Sequence, residues 1–369
     1  VGEPLRVGIV GAGKISGVYL RTLNRLTSVR LTAVTDLDEE RARRLAEEGT
    51  AGGAGNGSEV AVVGSVAELV ARDDVDAVLN LTIPAAHAEV ALAALAAGKH
   101  VYGEKPLAAT REEAEAVLAA ARAAGLRVGC APDTVLGTGT QTARKAVDDG
   151  LIGRPVSATA FMTCAGHERW HPDPEFYYRP GGGPLLDMGP YYLSALVHLL
   201  GPVVKVTGAS ARPRAERTIG SGPREGQTFG VEVDTHITGI LEHADGTLTT
   251  LIMSFDVEAA RLPRIEVHGT LASLSVPDPN LFEGPVEINR GDQWETLPPS
   301  AGYQDGDRGS GLADLAEALT DDRPHRACAE LAAHVLDVML TLLDAAEQGR
   351  ALPVTSTCER PAPVALTSH

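Results

Sequence analysis

Leu5-Arg6-Val7-Gly8-Ile9-Val10-Gly11-Ala12-Gly13-Lys14-Ile15-Ser16-Gly17 is a compact apolar run broken by a glycine turn. Beyond it Val18, Tyr19, Leu23 and Leu26 recur at helical spacing. Strand, turn and helix in that order predict the opening of a doubly wound α/β domain. Gly11 permits the tight turn, and Gly13 lets the backbone approach a pyrophosphate that the free N–H groups of the helix start would stabilise. Lys14 and Ile15 lead into that helix, Lys14 within reach of a phosphate. Ser16, with Gly17 beside it, replaces the third glycine of the usual fingerprint, so slightly looser packing of helix on strand is expected.

A second strand, 30–35, ends at Asp36, about 20 residues beyond the turn, where an acidic side chain accepts hydrogen bonds from the ribose hydroxyls. A carboxylate there repels a 2′-phosphate and favours NAD over NADP, while Lys14 leaves room for dual use. Asp36 has a plainer alternative, capping the helix that starts near Asp38. Strand and helix then alternate: a strand at 60–63, a helix capped by Ser65, a strand at 77–81, a helix over 85–97, the strand entering Gly103, a helix capped by Thr110 and a strand at 126–130. Open parallel sheets bind ligands at the carboxyl ends of their strands. Thr82, Pro84 and His87 lie at one such end on the expected cofactor path, Glu104-Lys105-Pro106 at the next, and Asp133 at the last, as a candidate contact to nicotinamide or substrate. The glycine-rich stretch 49–58 reads as a mobile surface loop.

The 369 residues call for two domains, here 1–150 and 151–369. A formal net charge of -17 argues against nucleic acid and anionic membranes as partners. There is no long apolar run and no signal-peptide pattern, so a cytoplasmic protein is expected. Four scattered cysteines without a Cys-x-x-Cys predict neither a metal site nor a disulfide framework.

In the second half, 156–164 reads as the first strand of another sheet. The segment His167-Glu168-Arg169-Trp170-His171-Pro172-Asp173-Pro174-Glu175-Phe176-Tyr177-Tyr178-Arg179-Pro180 gathers rings and hydrogen-bonding groups in a chain with only 4% aromatics. That suits a wall that stacks on a sugar, with Arg169, Trp170, His171 and Tyr178 as candidate contacts; a simply packed loop is the alternative. Asp187 follows three glycines, and Gly189-Pro190 predicts a helix start, near which Asp187 and Tyr191, at i and i+4, face the same way. Asp187 has its own plainer alternative as a helix-entry cap. Alternating segments at 203–211, 231–243, 247–255, 264–267 and 271–276 predict a large, mainly antiparallel open sheet in an α+β domain. One face of it has no evident cover, so a homodimer or homotetramer through that sheet is expected. The stretch 212–230 reads as a lid or mobile edge. Two closing helices near 311–320 and 327–348 pack back on the body, with His334 structural.

Gly11-Ala12-Gly13-Lys14-Ile15-Ser16, Asp36, Gly98-Lys99-His100-Val101-Tyr102-Gly103-Glu104-Lys105-Pro106 and Gly181-Gly182-Gly183-Pro184-Leu185-Leu186-Asp187-Met188-Gly189-Pro190-Tyr191 together resemble the glucose-fructose oxidoreductase / inositol dehydrogenase family. The resemblance spans nearly the whole chain and implies an NAD(P)-dependent oxidoreductase of sugars or polyols. It implies a dinucleotide-binding domain followed by a domain with a large open sheet. It also implies that Lys105 contacts substrate and cofactor. Most of the family has histidine where Tyr191 stands. Tyrosine occurs in the glucose-fructose oxidoreductase and dihydrodiol dehydrogenase branches, where it is regarded as the proton donor.

The chemistry agrees with those residue types. Oxidising a carbinol needs hydride loss and removal of the hydroxyl proton by a group within hydrogen-bond reach. A phenol of pKa ~10 is a poor base at neutral pH unless a cation such as Lys105 favours its phenolate. The acid/base is thus Tyr191 or Lys105, with Asp187 orienting Lys105 and the reacting hydroxyl. Two readings from other classes stay open at this point: a non-catalytic NAD-binding regulator, and a glycosidase that uses NAD for transient oxidation.

Overall fold

The structure, a computed structural model, describes residues 3–369. They form two compact units: one comprises the chain up to Gly137 with Tyr303–Ala333 and Val364–His369, the other Thr138–Gly302 with His334–Pro363.

In the first unit, β1 (Leu5–Val10), β2 (Val29–Thr35), β3 (Ala61–Val62), β4 (Ala77–Asn80), β5 (His100–Gly103) and β6 (Val128–Cys130) form a parallel sheet in the order β3-β2-β1-β4-β5-β6. This is the doubly wound order, reversing direction beside β1. The strands read as unbroken apolar runs because helices cover both faces: Ile9, Ala77, Val78 and Leu79 are fully buried. The covering helices are α1 (Ser16–Leu23), α2 (Glu39–Gly52), α3 (Val66–Val70), α4 (His87–Ala96) and α5 (Arg111–Ala124). Thr110 and Glu113 complete a reciprocal capping box on α5, and Ser65 caps α3. The stretch 49–58 is not the mobile loop expected: α2 runs through Gly52, and Ala54 is buried, its N–H donating to the Asn24 side chain and its carbonyl accepting from Leu31.

The second unit begins at Thr138, earlier than the expected residue 151. Its first helix, α6 (Thr138–Asp148), packs on α7 (Pro184–Leu200) and on strands of the second sheet. Nine strands make up that sheet: β7 (Pro155–Thr163), β8 (Val203–Ala211), β11 (His236–His243), β12 (Leu248–Ser254), β13 (Ile265–Gly269), β14 (Ser273–Val276), β15 (Val286–Asn289), β16 (Trp294–Leu297) and β17 (Leu352–Pro353), in the order β16-β15-β14-β13-β7-β12-β11-β8-β17. All neighbours are antiparallel except β7 and β12. The expected lid at 212–230 is instead a short hairpin, β9 (Glu216–Thr218) against β10 (Thr228–Gly230), held down by the buried side chain of Arg217. Of the closing helices, α8 (Ser310–Thr320) packs on β2 and β6 in the first unit. Helix α9 (Ala329–Gln348) buries His334, whose Nε2 accepts from the Val203 N–H, as suits a structural histidine. No helix among the described residues is long and apolar enough to cross a membrane.

Candidate active site

In the first unit the glycine turn and its neighbours form a cradle. Gly11 adopts φ +101°, and a Cβ there would lie 2.7 Å from the Leu81 carbonyl oxygen, so only glycine fits. Gly13 faces open space, with nothing within 4 Å of the position its Cβ would take. The hydroxyl of Ser16 donates to the Gly13 carbonyl at 2.7 Å and the side chain is buried, so the serine in place of the third glycine ties the turn to the helix start. A cavity of about 440 Å³ opens beside this turn, lined by Gly13, Lys14 and Ser16 and across from them by Arg41, Arg44 and Glu48 of α2.

Asp36 ties the turn to the end of β2. Its carboxylate accepts from the Ala12 N–H at 2.6 Å and from the Asp38 N–H at 2.8 Å. It does not cap α2; Asp38 does, accepting from Glu40 and Arg41. Leu37 and Ile83, at the carboxyl ends of β2 and β4, are exposed apolar side chains on offer to a flat ring. Cradle, open glycine, basic side chains and a carboxylate at the ribose position together fit a dinucleotide. Gly11→Ala should cost about 1–2 kcal/mol from the left-handed backbone alone and push the turn away from Leu81. The expected result is a lowered melting temperature with NAD affinity weakened at least tenfold, read by titration; unchanged affinity would show that the turn does not cradle the cofactor.

The Glu104-Lys105-Pro106 loop leaves β5 under three restraints. Glu104 accepts the Tyr19 hydroxyl on one carboxylate oxygen at 2.8 Å and the Lys105 N–H on the other at 3.1 Å, and its own N–H donates to Asn80. Burial, then the Glu104 charge, raises the Tyr19 hydroxyl well above the usual phenol range, so it stays a donor. His87 is not placed to contact a cofactor: it is buried, with Nδ1 2.6 Å from the Pro106 carbonyl oxygen and Nε2 3.0 Å from that of Thr82. It clasps the lysine loop to the loop after β4, where the Thr82 hydroxyl bonds Asn80 and Pro84 opens a short 3₁₀ turn. Asp133 is likewise turned to the backbone. Fully buried, it accepts from the Gly309 and Gly311 N–H groups at 2.8 and 3.0 Å, serving the start of α8 and not a substrate, and burial pushes its carboxyl up.

In the second unit, α7 starts at Pro184, not at Pro190. Gly183, at φ +90°, precedes it, and Pro190 lies inside the helix. Asp187 and Tyr191 therefore occupy successive turns of one helix on one face. The His167 ring, which sequence reasoning did not single out, meets Asp187 Oδ2 at 3.1 Å through Nε2. Around it stand the rings of Trp170, Tyr177 and Phe255, at centroid distances of 5.2, 4.6 and 4.4 Å.

The wall segment divides in two. Trp170 and Phe176 are more than half exposed, at 53% and 55%, and His171 packs edge-on to both Trp170 and Phe176. Arg169 is exposed and ion-paired with Glu258. Tyr178 is no sugar contact: it is fully buried, its hydroxyl donates to Glu168, and burial with that bond drives its phenol far upward. Glu168 also meets Arg217 at 2.8 Å, and Arg217 reaches Asp256 at 2.6 Å. This buried charge network anchors the wall, and no local sequence signal marks Arg217.

Residues 5–131 match the oxidoreductase family with an NAD-binding Rossmann fold, and residues 140–275 match the GFO/IDH/MocA C-terminal domain. The chain is 33% identical to dTDP-3,4-didehydro-2,6-dideoxy-alpha-D-glucose 3-reductase of Streptomyces antibioticus, over 81% of this chain and 85% of that one. The chain belongs to the GFO/IDH/MocA family of oxidoreductases. It is 32% identical to 1,5-anhydro-D-fructose reductase of Ensifer adhaerens, over 73% and 74% of the two chains. Its fold is shared with an NAD-binding oxidoreductase from Klebsiella pneumoniae, with a TM-score of 0.81 at 23% identity, covering 96% of this chain and all of that one. It is thus an NAD(P)-dependent oxidoreductase, and the cradle beside Gly13 belongs to its NAD-binding domain.

Proposed function

We propose that this GFO/IDH/MocA oxidoreductase moves a hydride between nicotinamide and a carbinol or carbonyl carbon of a sugar, sugar derivative or cyclic polyol. The observation that carries the reading is the placement of Asp187 and Tyr191 on one face of α7, with His167 on Asp187 and the exposed Trp170 on the same wall. Relatives named as sugar reductases support the substrate class.

Gly11, Gly13, Lys14, Ile15 and Asp36 hold the pyrophosphate and ribose, with Thr82, Pro84, Glu104 and Lys105 along the path to the nicotinamide. NAD is preferred to NADP because Asp36 presents its carboxylate at the ribose. When bound, the dinucleotide supplies the hydride acceptor or donor. Tyr191 exchanges a proton with the reacting oxygen, Lys105 stabilises negative charge on that oxygen, and Asp187 orients the hydroxyl. Arg169, Trp170 and His171 meet the remaining hydroxyls and ring faces.

Ile240 and Leu248 are exposed on the outer face of the second sheet, where Ile252 and Phe161 lie in direct register, so a second copy of the chain covers that face in a dimer or tetramer. Scattered cysteines suit a reducing compartment, the cytoplasm.

The test is a panel of sugars, inositols and nucleotide-linked keto sugars, assayed with NAD(H) and NADP(H) at the absorbance of reduced nicotinamide. Turnover with at least one member, lowered by about 10²-fold or more in Tyr191→Phe, is the expected result. A Tyr191→Phe variant at full rate would transfer the acid/base role to Lys105.

A further inference from the structure

His167 lies in the second unit on the short 3₁₀ turn that leads to the exposed Trp170, and its side chain turns inward to α7. Only 12% of that side chain and 18% of the Asp187 side chain are accessible. Nε2 faces Asp187 Oδ2, and the Cys164 side chain, just beyond β7, also favours the protonated ring. The backbone N–H of His167 donates to the buried Tyr178 hydroxyl at 3.1 Å, so the charge network of Glu168 and Arg217 holds the main chain while the three rings fix the imidazole plane.

We propose that His167 is a positioning residue of the reaction: it holds the Asp187 carboxylate in the orientation that the Tyr191 face of α7 needs, and it fastens the aromatic wall to that helix. This rests on the oxidoreductase reading above and deepens it. Asp187 is already inside the first turns of α7, where helix N–H groups and the dipole favour a carboxylate, so stability alone does not call for a histidine partner. A carboxylate that must orient a hydroxyl needs its rotamer fixed, and an N–H bond from a ring locked by packing does that.

The charge state agrees. The titratable groups facing the ring are Asp187 from α7, Cys164 from the end of β7 and Tyr177 from the following 3₁₀ turn; Phe255, after β12, carries none. Burial pushes the imidazole towards neutrality, but the bond to Asp187, helped by Cys164, outweighs it and raises the ring from an ordinary 6.5 to about 9. A group raised in this way stabilises fully below its ordinary value and loses that contribution as pH rises through the raised one. His167 is therefore charged at neutral pH, and its hold on Asp187 weakens through about pH 9.

The test compares His167→Phe, which keeps a ring but no donor, with His167→Gln, which keeps a donor but does not titrate. In the holoprotein labelled with ¹⁵N-histidine, the imidazole signal missing from His167→Phe should titrate near 9 in the wild type and fall towards 6.5 in Asp187→Asn. With a substrate from the panel, His167→Phe should lower kcat by about 10–100-fold at unchanged NAD affinity. His167→Gln should recover most of the rate and lose the inflection near pH 9. Wild-type kcat in both variants, or an imidazole that titrates the same in Asp187→Asn, overturns the role while leaving the oxidoreductase reading intact. Absence of turnover by the wild type on every member of the panel overturns that reading, and the role with it.

Discussion

Replacing Lys105 by methionine should lower turnover by at least about 10³-fold, near the upper part of what a positioned proton-transfer or charge-stabilising group contributes, while NAD still binds. The two effects separate because the lysine loop is held by groups other than the lysine side chain. Glu104 receives the Tyr19 hydroxyl and the Lys105 backbone N–H, and His87 holds the Pro106 carbonyl, none of which methionine disturbs. The cofactor cradle at Gly11, Gly13 and Asp36 sits on other strands of the same sheet. In the proposed reaction, what methionine removes is the charge that keeps the reacting oxygen's alkoxide at neutral pH. Measuring kcat on the best panel substrate beside an NAD titration decides the matter. A variant within tenfold of wild type would show that Lys105 does not handle the reacting oxygen.

The first sheet was legible because its signals are local. An apolar strand, a glycine turn and an amphipathic helix lie within a few turns of one another, and caps such as Ser65 and Thr110 sit at fixed offsets from the helices they start. The polar residues near strand ends and in the aromatic wall were harder. Asp133, His87 and Tyr178 have the types and places that ligand contacts have, yet each is buried against backbone or a charge network. The partners of Asp133 are the N–H groups of Gly309 and Gly311, far along the chain, and no window of sequence links them. For α7 the misleading cue was a second proline. Either Pro184 or Pro190 can open a helix, and only the left-handed Gly183 before the first settles which one does. His167 shares its segment with the rings of the wall, but its bond to Asp187 depends on how that segment folds back on α7.

Arg217→Met should destabilise the second unit by about 3–5 kcal/mol, the cost of removing one partner from a buried ion pair. Arg217 is 3% exposed and Glu168 4%, and the guanidinium lies between Glu168 and Asp256. Methionine fills much of the same space, so the loss is one of charge more than of volume. Glu168 then stays in a poorly solvated site without the guanidinium at 2.8 Å, while Asp256 keeps the more distant Arg214 at 3.9 Å, and the Tyr178 and Thr235 hydroxyls still donate to the two carboxylates. For a unit of this size the melting temperature should drop by roughly 6–20 °C. Adding Glu168→Gln should restore part of the loss, because the neutral amide removes one of the uncompensated charges, and a double-mutant cycle measures that coupling. Since Glu168 adjoins His167, the single variant should also raise KM for the sugar more than it weakens NAD binding. Unfolding within 1 kcal/mol of wild type would mean that the network is satisfied without its arginine. The wall that carries Trp170 would then owe its place to the packed rings around His167 and not to buried charge.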